Sequence, residues 1–126
     1  MKRLSILIFC LAVLTGKGFS QATIAAARAM PEGSTVTVRG IVTNGSELGI
    51  IRYFQDGTAG IAAYGSSMSS ISRGDSVVVT GVLKNYNYLL EIDPVTSVNA
   101  IAPKPVPAPV TITPAQMKEQ YEAMLV

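Results

Sequence analysis

Polar and apolar side chains alternate with a period of two in several short runs between residues 35 and 101. This alternation is typical of β-strands that bury one face, and the Gly, Asn, Asp and Pro residues between the runs are turn signals. Before these runs, the alanine-rich stretch 23–30 predicts a short helix that Thr23 caps and Pro31 ends. The pattern predicts strands over residues 35–42, 49–55, 61–64, 75–83 and 88–92, with 96–101 extending the sheet edge.

The first and fourth predicted strands share a pattern that has a glycine in the middle. Residues 36–42 read V-x-V-x-G-x-V and residues 77–83 read V-x-V-x-G-x-L, which places Gly40 and Gly81 at matching positions. A glycine within a strand costs stability and commonly marks a bend or a bulge. Two such bends favour a small closed barrel over the alternative, a flat sandwich in which both glycines are incidental.

The first 22 residues have the pattern of a signal peptide. A basic start at residues 1–3 precedes an apolar run over 4–14, and Ser20 and Ala22 occupy the −3 and −1 positions of a small-residue cleavage site. The alternative, an uncleaved anchor helix, needs roughly 20 apolar residues to cross a bilayer. The sequence therefore predicts a secreted or periplasmic protein that is cleaved near Ala22.

Composition argues against catalysis. The chain has no histidine, and its single cysteine, Cys10, lies in the predicted leader. The commonest general base, the commonest transition-metal ligand and a thiol nucleophile are therefore all missing. Glu91 and Asp93, two residues apart on a strand, could face one side as a carboxylate pair, but nothing else resembles a glycosidase site. We expect a protein that is not an enzyme and that has no cofactor and no metal site.

The net charge of the chain argues against nucleic acid as the ligand. Without the leader, seven basic residues face eight acidic ones. A domain whose main task is to grip phosphates should carry a basic surplus. The near-neutral balance and the predicted export favour a glycan or a protein as partner.

Three motifs in order resemble a known family. They are V-x-V-x-G-x-V at 36–42, Q-D-G-T-x-G-I at 55–61 and G-D-x-V-x-V-x-G at 74–81. Together they resemble the OB-fold domains of secreted proteins from Gram-negative bacteria, within the nucleic-acid-binding OB-like superfamily, over roughly residues 23–102. The resemblance implies a five-stranded Greek-key barrel. It also implies a module that commonly accompanies a nuclease, protease or adhesion domain in a longer chain.

The ligands of OB-folds usually lie across strands two and three, bordered by the loops between strands one and two and between four and five. Aromatic rings with one or two cations on that face suit stacking on the bases of single-stranded nucleic acid or on the apolar faces of sugars. The alternative is that the tyrosines are ordinary strand residues. Phe54 alternates with Tyr53 and is expected in the core. The candidate ligand-binding residues are Arg52, Tyr53, Gln55 and Tyr64, with Lys84, Tyr86 and Tyr88 at the rim.

The C-terminal part begins with a spacer. Proline occupies every second position over 103–109, which predicts an extended polyproline II linker. Thr113, Pro114 and Gln116 then form a capping-box pattern, which predicts a helix within residues 110–126. We interpret this segment as the start of a second, truncated domain, and the alternative is a C-terminal helix that packs on the barrel.

These features predict an exported OB-fold binding or accessory module. Its candidate partners are single-stranded nucleic acid, a glycan, or a neighbouring domain of the same chain. We expect no membrane association after cleavage of the leader. Two alternatives stay open. One is a structural domain that packs against an enzymatic or adhesion domain, and the other is a small periplasmic stress protein of the OB type.

Overall fold

The computed structural model describes residues 21–126, so the predicted leader lies outside the described residues except for its last two positions. One short helix, α1, precedes five strands, and single turns of 3₁₀ helix lie at Ser46–Leu48, Ser66–Met68, Pro114–Gln116 and Glu119–Tyr121. The bounds are α1 Ile24–Arg28, β1 Thr35–Val42, β2 Ile51–Gln55, β3 Gly60–Tyr64, β4 Asp75–Tyr86 and β5 Leu89–Pro103.

The five strands form a closed barrel in the order β1-β2-β3-β5-β4. All neighbouring strands pair antiparallel except β3 and β5, which pair in parallel through Ala62–Glu91 and Ala63–Ile92. This confirms the predicted all-β barrel with a short N-terminal helix, and the flat sandwich is wrong.

The barrel interior is apolar because the alternating positions of each strand point inward. Val36, Val38 and Val42 of β1 are buried in one cluster with Phe54 of β2, as the alternation predicts. α1 packs against β1 and β3 and buries Ile24 and Ala27.

Asp56 joins the helix to the turn between β2 and β3. Its Oδ2 accepts the backbone N–H of Ile24 at 2.8 Å, and its Oδ1 accepts the N–H groups of Thr58 at 2.7 Å and Ala59 at 3.0 Å. Thr23 caps the same helix through the N–H of Ala26 at 3.2 Å. Burial tends to raise the pKa of Asp56, but these hydrogen bonds outweigh it and lower the pKa. The predicted turn at residues 56–60 is therefore also the anchor of α1.

Both mid-strand glycines lie where strands approach closely. A Cβ on Gly40 would lie 2.8 Å from the carbonyl oxygen of Gln55. A Cβ on Gly81 would collide with the side chain of Ile92 and with the carbonyl oxygen of Pro94, at a shift in the β4–β5 register. Only glycine leaves room for these approaches. The predicted irregularity is found at Gly81, whereas the β1–β4 register runs unbroken through Gly40.

β5 joins the predicted strand 88–92 and the predicted extension 96–101 into one strand. The expected interruption after residue 92 is wrong, since β5 continues through a cis Asp93–Pro94 peptide bond to Pro103. Pro94 lies within the irregular stretch of the β4–β5 ladder, where its missing N–H removes no regular hydrogen bond.

The predicted helix within residues 110–126 is wrong. The Thr113 N–H does donate to the Gln116 side chain at 2.7 Å, but only the two single turns of 3₁₀ helix form. The segment folds back instead. The Val110 N–H donates to the Leu125 carbonyl at 3.0 Å, and the Leu125 N–H donates to the Gln55 side chain at 2.8 Å. Contacts with the barrel thus override the local helix signal, and the second-domain interpretation stays a prediction.

The proline-rich stretch after β5 forms neither helix nor strand and is largely exposed, and the Lys104 N–H donates to the Gly74 carbonyl at 2.7 Å. Within residues 21–126, none of the helices is both long and apolar enough to cross a bilayer.

We expect Gly81→Ala to destabilise the protein by about 1–3 kcal/mol, because the added methyl group overpacks the β4–β5 contact. Gly57→Ala is the matched control, since a Cβ at Gly57 meets no atom within 4 Å. Urea unfolding of both variants measures the difference. Equal stabilities for the two variants would contradict the close approach at Gly81.

Candidate ligand-binding groove

A groove of about 400 Å³ lies on the outer face of the barrel, where β3, β4 and β5 adjoin. Three of the predicted ligand residues line it, namely Tyr64 of β3 and Lys84 and Tyr86 of β4. The structure therefore brings together part of the predicted set. The remaining lining residues are Ile51, Leu89, Glu91 and Asp93.

Strand register explains why these side chains share one face. Lys84 pairs with Glu91 and Tyr86 pairs with Leu89 across the β4–β5 ladder. Glu91 in turn pairs with Ala62 of β3, two residues before Tyr64. Because paired residues in a sheet project to the same side, these positions all face outward.

Lys84 is held inside the groove. Its Nζ lies 2.6 Å from Asp93 Oδ2 and 5.5 Å from the centre of the Tyr86 ring. The hydrogen bond to Asp93 is the main cause that raises the pKa of Lys84 above its ordinary value. The lysine that lines the groove therefore stays protonated and is already paired with a carboxylate.

Glu91 is the unusual residue of the groove. Its side chain is on the groove surface, but the residue is only 4% exposed. Burial raises the pKa of Glu91, as does the neighbouring Asp93, while Lys84 opposes them. No hydrogen bond from residues 21–126 reaches this carboxyl group, whose oxygens keep some contact with solvent. Glu91 thus offers acceptor capacity that the protein itself does not use.

Arg52 does not belong to this face. The residue is 1% exposed and lies in the interior, where Nε donates to the Ile71 carbonyl at 2.7 Å and Nη1 to the Gly49 carbonyl at 2.6 Å. Nη1 also reaches the Ile51 carbonyl at 2.9 Å, and Nη2 the Ser69 carbonyl at 3.2 Å. Arg52 alternates in phase with Phe54, so the inward direction could have been inferred from the same pattern that placed Phe54 in the core.

Gln55 lies outside this groove, because the C-terminal segment covers most of this residue, and it contributes instead to the wall of a second groove between β1 and that segment. The residue is 3% exposed, and its Oε1 accepts the Leu125 N–H at 2.8 Å. The sequence gives no signal for this contact, because it joins positions 70 residues apart.

Tyr53 and Tyr88 also lie outside the groove lining. Tyr53 is half-buried on β2, and Asn44 Oδ1 accepts its backbone N–H at 2.7 Å. Tyr88 is 94% exposed in the turn between β4 and β5, with a positive φ of 69°. Tyr53 nevertheless projects to the same outer face, because it pairs with Ala62, and Ala62 pairs with Glu91 of the groove.

Sequence reasoning underweighted Glu91 and Asp93. Their spacing of two was the available signal, since alternate residues of a strand share one face. The structure places both in the groove beside Lys84.

A larger groove, of about 570 Å³, lies between β1 and the C-terminal segment. Its wall includes Arg39 and Ile41 of β1 and Lys104 and Met124 of the C-terminal part, but no aromatic ring. It therefore lacks the stacking surface on which the predicted chemistry depends.

Comparisons with known proteins address the fold alone. No protein-family model and no curated protein matches the chain. Among solved structures, it is similar to that of the hypothetical protein ygiW from E. coli, with a TM-score of 0.53 and 20% identity over 68% of this chain and 100% of that chain. The fold and the groove together define a small all-β barrel of the OB type.

Arg52→Lys should destabilise the protein by about 2–4 kcal/mol. A lysine has no planar fork of donors and leaves several of the four carbonyl groups without a charged partner. Arg73→Lys is the matched control, because Arg73 is exposed and its pair with Glu47 lies on the surface. Thermal or urea unfolding tests this, and an equally mild effect at both positions would contradict the structural role of Arg52.

Glu91→Gln should stabilise the protein at neutral pH, with a gain that disappears in acid. The raised pKa means that the folded state binds the Glu91 proton more tightly than the unfolded state does, so wild-type stability from this group falls as pH rises through the raised pKa. The difference between variant and wild type should thus be small below about pH 4, near the ordinary value for glutamate, and largest at pH 7. Urea unfolding across this range measures it, and a difference that does not change with pH would contradict the burial of the charge.

Proposed function

We propose that the protein is an exported, non-catalytic binding module that holds an oligosaccharide in the groove. The observation that carries this proposal is the nearly buried, unpaired carboxyl group of Glu91 between two exposed tyrosines. Sugar hydroxyl groups are donors that match such an acceptor, and buried polar groups are rarely left without partners.

The two tyrosines supply the second part of the recognition. Tyr64 and Tyr86 are both large exposed aromatic residues of the groove. A tyrosine ring offers an apolar face and a polar hydroxyl, which suits the apolar face and the hydroxyl rim of a pyranose ring. Ile51 and Leu89 extend the apolar surface.

Charge favours a sugar over single-stranded nucleic acid. The groove contains two carboxylates and one lysine, and that lysine is paired with Asp93. Phosphate groups bind where unpaired basic side chains gather, so a nucleic-acid strand would meet net repulsion here. The seven basic and eight acidic residues that follow the predicted leader offer no compensating field.

The same arrangement supports a non-catalytic role. Glycosidases place two carboxyl groups on opposite sides of the scissile bond. Glu91 and Asp93 instead project from one strand, and Asp93 is bound to Lys84. The leader-like N-terminus and the resemblance to OB-fold domains of secreted proteins support export.

We expect neutral cell-wall oligosaccharides to bind the wild-type chain and to shift the amide signals of Tyr64, Lys84 and Glu91 in NMR titrations. Tyr64→Ala and Tyr86→Ala should each weaken binding about 10- to 100-fold, since a stacked aromatic ring contributes ~1–3 kcal/mol. Tyr88→Ala is the matched control, because this exposed ring lies outside the groove and its loss should leave the affinity unchanged.

A hexamer of deoxythymidylate is the competing ligand in the same titration. If it binds through the groove amides and the sugars do not, nucleic acid replaces glycan as the ligand class. If neither binds at millimolar concentration, the binding proposal fails, and a structural role beside a neighbouring domain takes its place.

A further inference from the structure

The C-terminal segment ends in a short stretch, residues 119–125, that docks on the barrel beside the groove. This stretch is called the latch below. It contacts α1 through Arg28, β2 through Gln55 and the start of β5 through Leu90. These contacts lie far apart in sequence and converge on one end of the outer face.

The carboxylate of Glu122 is the centre of the latch. Its Oε1 accepts the backbone N–H of Leu90 at 3.1 Å and both terminal nitrogens of Arg28 at 3.3 Å each. Glu119, which is exposed, adds a 2.7 Å contact to Arg28. One carboxylate oxygen therefore lies in a cradle made of a guanidinium group and a backbone donor.

The cradle is built into the fold. The Arg28 side chain is only 9% exposed and also donates to the Gly60 carbonyl at 3.1 Å, which fixes the direction of the guanidinium group. Gly60 has no side chain, and a Cβ there would collide with the carbonyl of Ala123. The latch can approach β3 this closely only because residue 60 is glycine.

The cradle adjoins the proposed ligand groove. Leu90 follows Leu89, which lines the groove, and Gly60 lies four residues before Tyr64 on β3, about 13 Å along the strand. A ligand that extends along the outer face from Tyr64 would reach the latch.

We propose that Arg28 and the Leu90 N–H form an anion-binding subsite, and that Glu122 occupies it as a substitute for an anionic group of a ligand. A carboxylate or phosphate group that binds there displaces the latch and exposes Gln55. Glu119 and Glu122 both belong to the latch, so its departure removes both carboxylates from Arg28. A nearly buried guanidinium group needs a charged partner, which an external anion then supplies. The inference extends the proposed groove, but its test uses no oligosaccharide.

The latch competes from within the same chain, at an effective concentration in the millimolar range. An external anion therefore has to overcome that competition in the wild-type protein. Removal of the Glu122 charge should weaken the competitor without changing the two donors of the cradle.

The test compares Glu122→Gln with the wild-type full chain in NMR titrations with inorganic phosphate, at ionic strength kept constant with chloride. We expect saturable shifts of the Leu90 and Gly60 amides, with an apparent Kd at least about 10-fold lower in the variant. The Leu125 amide should lose its protection from hydrogen exchange as phosphate binds. Glu47→Gln is the matched control, since it removes the carboxylate of another arginine pair, with Arg73 at 2.9 Å, and should behave as wild type.

Two results would overturn the inference. One is a Glu122→Gln protein that responds to phosphate no more strongly than Glu47→Gln does. The other is a response that persists after Arg28→Lys is added to Glu122→Gln, because a subsite built on the guanidinium group should lose its affinity. Either result leaves the oligosaccharide titration unaffected, so failure of the subsite and failure of the groove can be distinguished.

Discussion

The parallel contact between β3 and β5 is the constraint on which the rest of the molecule depends. It involves only Ala62–Glu91 and Ala63–Ile92, but it turns a curved sheet into a closed barrel. It also brings Tyr64 beside Glu91 and Lys84, although these residues come from separate strands. Without this pairing the groove would have no wall on one side, so the same pairing closes the barrel and assembles the groove.

Much of the fold follows from local physics that can be read in the sequence. The period of two places β1 at its observed bounds, and Gly81 predicts the irregularity that the β4–β5 ladder shows. Thr23 predicts the cap of α1. What local signals could not give is the continuity of β5 through Pro94, because proline is a poor strand residue unless tertiary pairing supplies a bulge for it.

The site was less predictable than the fold, for a physical reason. Tyr64, Lys84 and Tyr86 could be selected from the sequence for two reasons. The family resemblance places them at the ligand-binding face, and the period of two in the strands directs their side chains outward. Arg52 points inward, since four backbone carbonyls satisfy its charge better than an open face could, and amino-acid type alone does not reveal this. Gln55 depends on a partner 70 residues away, which no local pattern encodes.

Charge along the outer face is arranged in two parts. The open groove holds Glu91 and Asp93 against a single paired lysine, whereas the adjoining cradle presents a nearly buried arginine. Within residues 21–126, Glu122 satisfies the arginine, whereas no hydrogen-bond donor reaches the carboxyl group of Glu91. The arginine of the cradle is thus already paired, whereas the Glu91 carboxyl group in the groove is an unused hydrogen-bond acceptor. Under the two proposals, the groove accepts hydroxyl donors directly, and the cradle becomes available only when the latch leaves.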